Sequence, residues 1–336
     1  VNKKLIMLKN QIVSVFFQLG VARIARGFAL ALLFACAVYA QTFPNRPLKI
    51  ISPYSPGGLG DTVPRGVAMG LADALGQPVI VENRPGASQV IGMQAAAKSA
   101  PDGYTLVFGS VTSLAINPAV TKDLPYDPVK DFAPVSLCMT TPLFLVIHPS
   151  VPVKTVRDLI ALAKRQPGRL SFASGGNGSS NHLAGELFKL LAGVDLLHVP
   201  YKGAGPAMVD VMAGHVDLML GGAGLAEARA GRVKVLAVSS AQRSSVAPEL
   251  PTLQEAGVPG YEATIWFGLL APAATPATIV TRLSQEIGRV LNQKTMRERF
   301  NTVDLTPTSP EGFADLIRRE IPKWRKVVIT AKIPAL

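Results

Sequence analysis

Two glycine-rich stretches carry the residue types best suited to chemistry in this chain: Ser55-Pro56-Gly57-Gly58-Leu59-Gly60-Asp61 and Ser174-Gly175-Gly176-Asn177-Gly178-Ser179-Ser180. Each follows an apolar, β-rich run and opens a segment of helical period. The first N–H groups of a helix lack intrahelical acceptors, and the aligned peptide dipoles make that end positive. Each stretch therefore reads as a cradle for an anion, and two facing cradles would clamp one acid. A plainer reading stands beside this one. Gly57, Gly58 and Gly60 also suit a tight strand-to-helix turn, Asp61 reads as the cap of the next helix, and Ser179 and Ser180 suit N-caps.

Other chemistry is poorly supplied. The histidines His148, His182, His198 and His215 include no pair at metal-ligand spacing, and Cys138 has no nearby cysteine, so no metal is expected. A nucleophile elbow is missing: Gly86-Ala87-Ser88 lacks the closing glycine, and Gly178-Ser179-Ser180 runs on to Asn181 and His182. The Gly-x-Gly starts at Gly58, Gly176, Gly203 and Gly222 each lack the third glycine of a dinucleotide fingerprint. Binding without turnover and without a cofactor is the expectation. An exported α/β enzyme acting on a small organic acid is the alternative.

The elements that must position these loops follow from periodicity. β-rich runs alternate with helical segments, the pattern of α/β domains with mostly parallel sheets. In the first half, Leu48–Tyr54, Val79–Val81 and Thr105–Gly109 read as strands. A helix capped by Asp61, with Pro64 in its first turn and Gly76 as its stop, follows the first strand, and Gln89–Lys98 is the second helix. The second half begins with strand Leu143–Ile147, helix Val156–Arg165 and strand Leu170–Ala173. Helix Asn181–Ala192 follows, with Leu183, Leu187, Leu190 and Leu191 as one buried stripe and Gly193 as its stop. Strand Leu197–Val199, helix Pro206–Ala213 and strands Asp217–Leu220 and Val235–Ser239 complete that set. Helices Thr278–Asn292 and Pro310–Val328 have no strands of their own to cover. The chain is therefore expected to cross back at Ala263–Phe267, giving a two-segment hinge.

The N-terminal stretch carries Lys3, Lys4, Lys9, Arg23 and Arg26 without an acid, then the apolar run Gly27–Tyr39 and the small-residue end Val38-Tyr39-Ala40. It reads as a secretory signal peptide over residues 1–40, cleaved after Ala40. Leu33-Phe34-Ala35-Cys36 offers a competing lipoprotein box, although Phe34 is bulky for that pattern. Loss of the five cations lowers the formal net charge from +12 to +7. The remaining basic residues are dispersed, without aromatic interleaving, which argues against nucleic acid. Of the two cysteines only Cys138 remains, so no intramolecular disulfide forms. No later segment is apolar enough to span a membrane, and the mature chain is expected to be soluble.

Several further motifs carry a resemblance: Pro47–Asp61, Val81-Glu82-Asn83-Arg84-Pro85-Gly86, Pro101-Asp102-Gly103-Tyr104-Thr105-Leu106, Tyr126–Val135, Asn177–Phe188 and Val199-Pro200-Tyr201-Lys202-Gly203. In this order they resemble the bacterial Bug family, extracytoplasmic solute receptors related to the tripartite tricarboxylate transporters, over the whole mature chain. The resemblance implies a two-lobed, type II-like periplasmic binding protein, monomeric and closing by a hinge on a small carboxylate held by backbone amides and water. Lobe 1 would comprise residues 41–142 and 268–336, and lobe 2 residues 143–267 with the crossover strands. Carried over by position, the first lobe contributes Ser55, Pro56, Gly57, Gly58 and Asp61, with Ser110, Val111 and Thr112 after the third strand. The second contributes Ser174, Gly175, Asn177, Ser179 and Ser180, with Tyr201, Lys202, Gly203 and Ala204 on the next loop, and Gly221 beyond. Tyr201 reads as a pocket wall and His182 as a packing residue. Permease subunits of the tripartite tricarboxylate type or a sensor kinase are the implied partners. Two departures stand out: Gly221-Gly222 lies where many members carry Asp or Asn, and Pro64 replaces a commoner small residue. Without an acid at Gly221-Gly222 the ligand is expected to be a non-amino carboxylic acid.

Overall fold

The computed structural model describes residues 43–335; the segment 1–40 read as a signal peptide, with Cys36, lies outside them. Eleven strands are found in this range: β1 Leu48–Ser52, β2 Val79–Asn83, β3 Thr105–Ser110, β4 Phe132–Thr141, β5 Phe144–Ile147, β6 Ser171–Ser174, β7 Leu197–Pro200, β8 Leu218–Gly221, β9 Lys234–Val238, β10 Ile265–Pro272 and β11 Asp304–Leu305. They form a six-stranded sheet ordered β11-β4-β10-β3-β1-β2 and a five-stranded sheet ordered β7-β6-β8-β5-β9. Both are mixed. In the first, β2, β1 and β3 run parallel while β10, β4 and β11 alternate. In the second, β7, β6 and β8 run parallel and β5 and β9 alternate beside them.

The parallel half of each sheet has one topology. A helix, Leu59–Leu75, carries the chain from β1 to β2, and Val90–Ala97 returns it past β1 to β3. In the second sheet Ser180–Ala192 leads from β6 to β7, and Ala204–Ala213 returns the chain past β6 to β8. Beyond β1 and β3, and again beyond β6 and β8, the chain departs in opposite directions. Such a switch point opens a crevice outside the carboxyl ends of the strands. Each glycine-rich stretch occupies one.

Local chemistry explains the helix ends. Helix Leu59–Leu75 is capped by Gly58, not Asp61, and ends at Gly76 in the left-handed region at φ +66°. Pro64 is consequently its sixth residue rather than a first-turn residue. A proline there cannot donate to Gly60 O, and the Ser52 hydroxyl does so instead at 2.7 Å. Gly60 is required sterically, because a Cβ would meet the Tyr54 ring at 2.3 Å.

Helix Ser180–Ala192 is capped by Ser179, whose side chain accepts from His182 N, and ends at left-handed Gly193. Its burial differs from the expected leucine stripe. Leu183 and Leu187 are buried, whereas Leu190 and Leu191 are 39% and 38% exposed. The first two turns are instead enclosed nearly all round, by Phe172 of β6 against Gly185 and by Tyr261, whose hydroxyl donates to Ala184 O at 2.9 Å. The last turn runs beyond that cover.

β4 was not expected from the sequence, where Tyr126–Val135 reads as turn and packing. It pairs with β10 through two register shifts and carries the buried, free Cys138, whose thiol burial pushes up to about 12. Helices Ala277–Leu291 and Pro310–Thr330 pack on β4, and the latter also touches helix Ser180–Ala192. Among the described residues no helix is long and apolar enough to cross a membrane.

Candidate functional site

The first loop is built on a charged tether. Gly57 takes φ +104°, a region that disfavours side chains, and its N–H donates to Asp61 Oδ2 at 3.0 Å. Asp61 Oδ1 accepts from Arg65 Nε at 2.9 Å and from Asn83 Nδ2 at 2.8 Å, and Asn83 Nδ2 also reaches Tyr54 O at 3.0 Å. These donors, with Arg65 first, hold the Asp61 carboxyl down at about 2 despite its burial. Asp61 is 5% exposed and its oxygens are engaged by the loop itself. Ser55, Pro56, Gly57 and Gly58 are exposed. The N–H groups of Gly58 and Leu59 meet no protein acceptor among the described residues.

The neighbouring loop comes from β3. Ser110 is buried, its N–H donating to Ser113 Oγ and its hydroxyl to Gln89 Oε1 at 2.9 Å, while Thr112 N returns to Ser110 Oγ. The Val111 side chain is in the core, so only its backbone is available to a ligand. Tyr54, beneath Gly60, has a buried hydroxyl with no hydrogen-bond partner, and burial raises its phenol above the ordinary tyrosine value.

In the second loop the turn consumes some donors and leaves others. Gly176 N donates to Ser174 Oγ, Gly178 N to His182 Nδ1 at 3.1 Å, and Ser179 N to Gly176 O. The N–H groups of Gly175, Asn177 and Ser180 meet no protein acceptor among the described residues. Gly175 and Gly176 lie against the next loop: a Cβ would fall 3.2 Å from Ala204 N at the first and 3.1 Å from Tyr201 O at the second. The structure thus brings Ser174–Ser180 together with Tyr201–Ala204. Asn181 Nδ2 donates to Leu220 O at 2.6 Å, tying the same helix start to the end of β8, where Gly221 is buried and Gly222 exposed.

Tyr201 is half-buried, and its hydroxyl donates to Asp210 Oδ2 at 2.6 Å. Burial, with the Asp210 hydrogen bond and charge, pushes its phenol up to about 12. Lys202 is exposed, without an ion pair among the described residues. Gly203, at φ +118°, caps helix Ala204–Ala213 without a side-chain hydrogen bond. No hydrogen bond or ion pair joins the loop at 55–61 to the loop at 174–180 among the described residues. A cavity of about 790 Å³ lies elsewhere, and none of these loop residues lines it.

Beneath the second loop, His182 and His198 stack with centroids 3.9 Å apart, and His198 stacks on Phe172 at 4.8 Å. Ser174 Oγ meets His198 Nε2 at 2.7 Å. Burial first, then the neighbouring histidine and Lys189, lowers His182 to about 4; burial and Lys189 lower His198 to about 4. Both imidazoles are neutral at pH 7, and His182 Nδ1 is an acceptor for Gly178.

The fold that carries these loops has a counterpart among known proteins. Residues 63–332 match the family described as Tripartite tricarboxylate transporter family receptor, TctC. The chain belongs to this family. It is 40% identical to protein BugT of Bordetella pertussis over 299 residues, covering 88% of this chain and 92% of that one. Among solved TctC-like structures, Rpa4515 of R. palustris with adipate is 35% identical, with a TM-score of 0.75 over 88% of this chain and all of that one. MatC from Rhodopseudomonas palustris with bound malate is 33% identical, with a TM-score of 0.71 over 85% of this chain and all of that one. A TctC-family chain is a solute-binding receptor, not an enzyme, and its two-lobed α/β fold is shared with these proteins.

Sequence reasoning missed two parts of this receptor's loop architecture. Arg65 and Asn83 hold Asp61; Arg65 is its i,i+4 partner on one helix, a spacing the sequence does offer, whereas Asn83 comes from the end of β2 and no spacing joins it to Asp61. The second is the turn after β2: Ala87, Ser88 and Gln89 take φ of 45°, 51° and 79°, three left-handed residues in a row without glycine. Ser110 and Asn117, which donates to Ser88 O at 2.8 Å, hold it. Strain of this kind persists only where surrounding contacts over-determine it. Gly86 was its only sequence trace.

Proposed function

We propose that this TctC-family chain is a periplasmic receptor that binds one small carboxylate between its two lobes. In this reading the leader is cleaved after Ala40, and the loaded receptor serves a tripartite tricarboxylate-type permease or a sensor. The observation that carries the proposal is the set of N–H groups without protein acceptors at both switch-point helix starts: Gly58 and Leu59 on one, Gly175, Asn177 and Ser180 on the other. A carboxylate offers acceptors to both sets, and the helix dipoles favour its charge. Asp61 acts by shaping the first loop rather than by touching ligand. The adipate and malate bound by the two R. palustris proteins support a carboxylate of this size class. With Gly221-Gly222 providing no acid for an ammonium group, the ligand is a non-amino acid.

Proline at the first helical position tests backbone recognition, because it removes one N–H and is otherwise tolerated there. Ser180 and Leu59 occupy those positions, and the preceding residues Ser179 (φ −71°, ψ 158°) and Gly58 (φ −87°, ψ 178°) are extended, as a residue before proline requires. Ser180→Pro and Leu59→Pro should each weaken calorimetric binding of adipate or malate by about 10-fold or more, at an unchanged urea midpoint. Equal affinity in both variants refutes backbone recognition. Tight binding of aspartate or glutamate with none of adipate or malate refutes the non-amino assignment.

A further inference from the structure

The chain passes from the six-stranded to the five-stranded sheet between β4 and β5 and returns ahead of β10. In the first sheet β4 and β10 are neighbours, with β3, β1 and β2 on one side of them and β11 on the other. In the second, β5 has β8, β6 and β7 on one side and β9 on the other. Both glycine-rich loops leave from the first of these sides, the front, after β1 and after β6. The back has a connection of its own. The segment after β9 reaches β11, where Asp304 accepts from Ser244 Oγ at 3.2 Å and from Ser245 Oγ. Asp304 stands opposite Thr140 near the end of β4, so the contact lies at the same end of the sheet as the passages. All three residues line the cavity of about 790 Å³, whose wall joins parts of β4, β10 and β11 to the segment after β9.

Neighbouring strands sit about 4.8 Å apart, so from the middle of the β4–β10 pair β1 has an arm of about 12 Å and β11 an arm of about 7 Å on the opposite side. A rocking motion on the passages that carries the β1 loop toward the β6 loop therefore parts β11 from the segment after β9, by more than half as much. An added separation of about 1 Å takes a hydroxyl–carboxylate pair out of hydrogen-bond reach. The structure stands at one end of this motion. At the front the two glycine-rich loops share no hydrogen bond or ion pair among the described residues, while at the back Asp304 is bonded. We propose that Asp304 with Ser244 and Ser245 is an autoinhibitory latch: it holds the receptor open, breaks when the lobes close, and so sets the affinity for the cleft ligand. This rests on the reading that the lobes close on a carboxylate. A ligand that binds the closed form is weakened in proportion to how far the latch depletes that form.

Ser245 is exposed, so its replacement leaves the core intact. Ser245→Ala removes one latch bond, and Ser245→Asp sets a like charge against Asp304. Calorimetric affinity for adipate or malate should rise about 3-fold in the first and about 10-fold in the second, the second gain shrinking with added salt. Dipolar EPR on the unliganded protein supplies a readout that needs no ligand. Nitroxides at Pro85→Cys and Pro200→Cys report the front, and nitroxides at Gln242→Cys and Thr302→Cys the back, all four positions being exposed. Cys36→Ser removes one native thiol, and the buried Cys138 stays unlabelled. In Ser245→Asp the front pair should shorten as the back pair lengthens. That result without binding of either acid upholds the latch and defeats the carboxylate reading. Unchanged distances in Ser245→Asp, or pairs that move in the same direction, overturn the latch. So does an unchanged affinity in both variants of a protein that binds either acid.

Discussion

Asp61 shows how one side chain can set the geometry of a glycine-rich loop. Its carboxylate joins Gly57 N–H, Arg65 and Asn83, fixing a glycine at φ +104° and with it the direction of the next amides. Asp61→Ala removes the charged acceptor shared by Gly57 N–H, Arg65 and Asn83, and the expected cost is about 1–3 kcal/mol, read as a lower urea midpoint together with weaker ligand binding. The acid limit has a definite sign. A carboxyl held at about 2 in the fold and nearer its ordinary value when unfolded stabilises the protein above the unfolded value, and that contribution is lost as pH falls through about 2. The Asp61→Ala protein should therefore show a flatter stability profile between pH 4 and pH 2. An identical slope would remove Asp61 from the tether. The sequence placed Asp61 at the right loop but in the wrong role, because an N-cap and a third-position residue reaching backwards look alike until the helix start is known. Gly58 sets that start, and glycine advertises a cap only weakly.

Helix Ser180–Ala192 ties the second glycine-rich loop to a titrating pair, and its pH response belongs to the element rather than to either ring. His182 accepts from Gly178 through Nδ1 and stacks on His198, which in turn meets Ser174. Both histidines lie at about 4 in the fold, below the unfolded value near 6.5. The unfolded chain thus binds more protons in that interval, so stability is full above about 6.5 and falls as pH drops toward 4. In the folded protein His182 protonates only near pH 4, where it can no longer accept from Gly178, so carboxylate affinity should fall as pH drops through about 4. His198→Phe should lower the slope of thermal midpoint against pH by about half, since one of two titrating rings is removed. An unchanged slope would place the acid sensitivity elsewhere. Most of this helix was legible from Ser179, the apolar residues and Gly193. The exposure of Leu190 and Leu191 was not, because hydrophobic period identifies a face but not where the covering layer of Phe172 and Tyr261 ends. β4 escaped for a related reason: Pro134 and the turn residues before it mask a strand whose pairing with β10 is irregular.

At the scale of the whole receptor the chain passes between the sheets at Thr141–Phe144 and again before β10, and one serine is hydrogen-bonded to both passages. Ser239, fully buried at the end of β9, accepts from Leu143 N at 2.7 Å and donates to Ala263 O at 2.8 Å through a single hydroxyl. Its backbone adds Ser239 N to Leu143 O at 2.8 Å and receives Ala263 N at 3.0 Å. Three segments distant in sequence therefore share one side chain where any lobe motion must be accommodated. Ser239→Ala removes the two side-chain bonds and leaves the backbone ones, stranding one donor and one acceptor in the interior. At about 1–3 kcal/mol for each stranded group the expected loss is about 2–6 kcal/mol, and the Leu143 amide should exchange with deuterium faster while the Ala263 amide, still bonded to Ser239 O, keeps its protection. A local effect confined to Leu143 would leave carboxylate binding unchanged. A clasp on the lobe motion would also change the affinity for the cleft ligand, because the variant redistributes open and closed forms that bind it differently. Calorimetry on Ser239→Ala separates these outcomes, and unaltered affinity with a lowered urea midpoint would show that the serine supports the fold without governing closure.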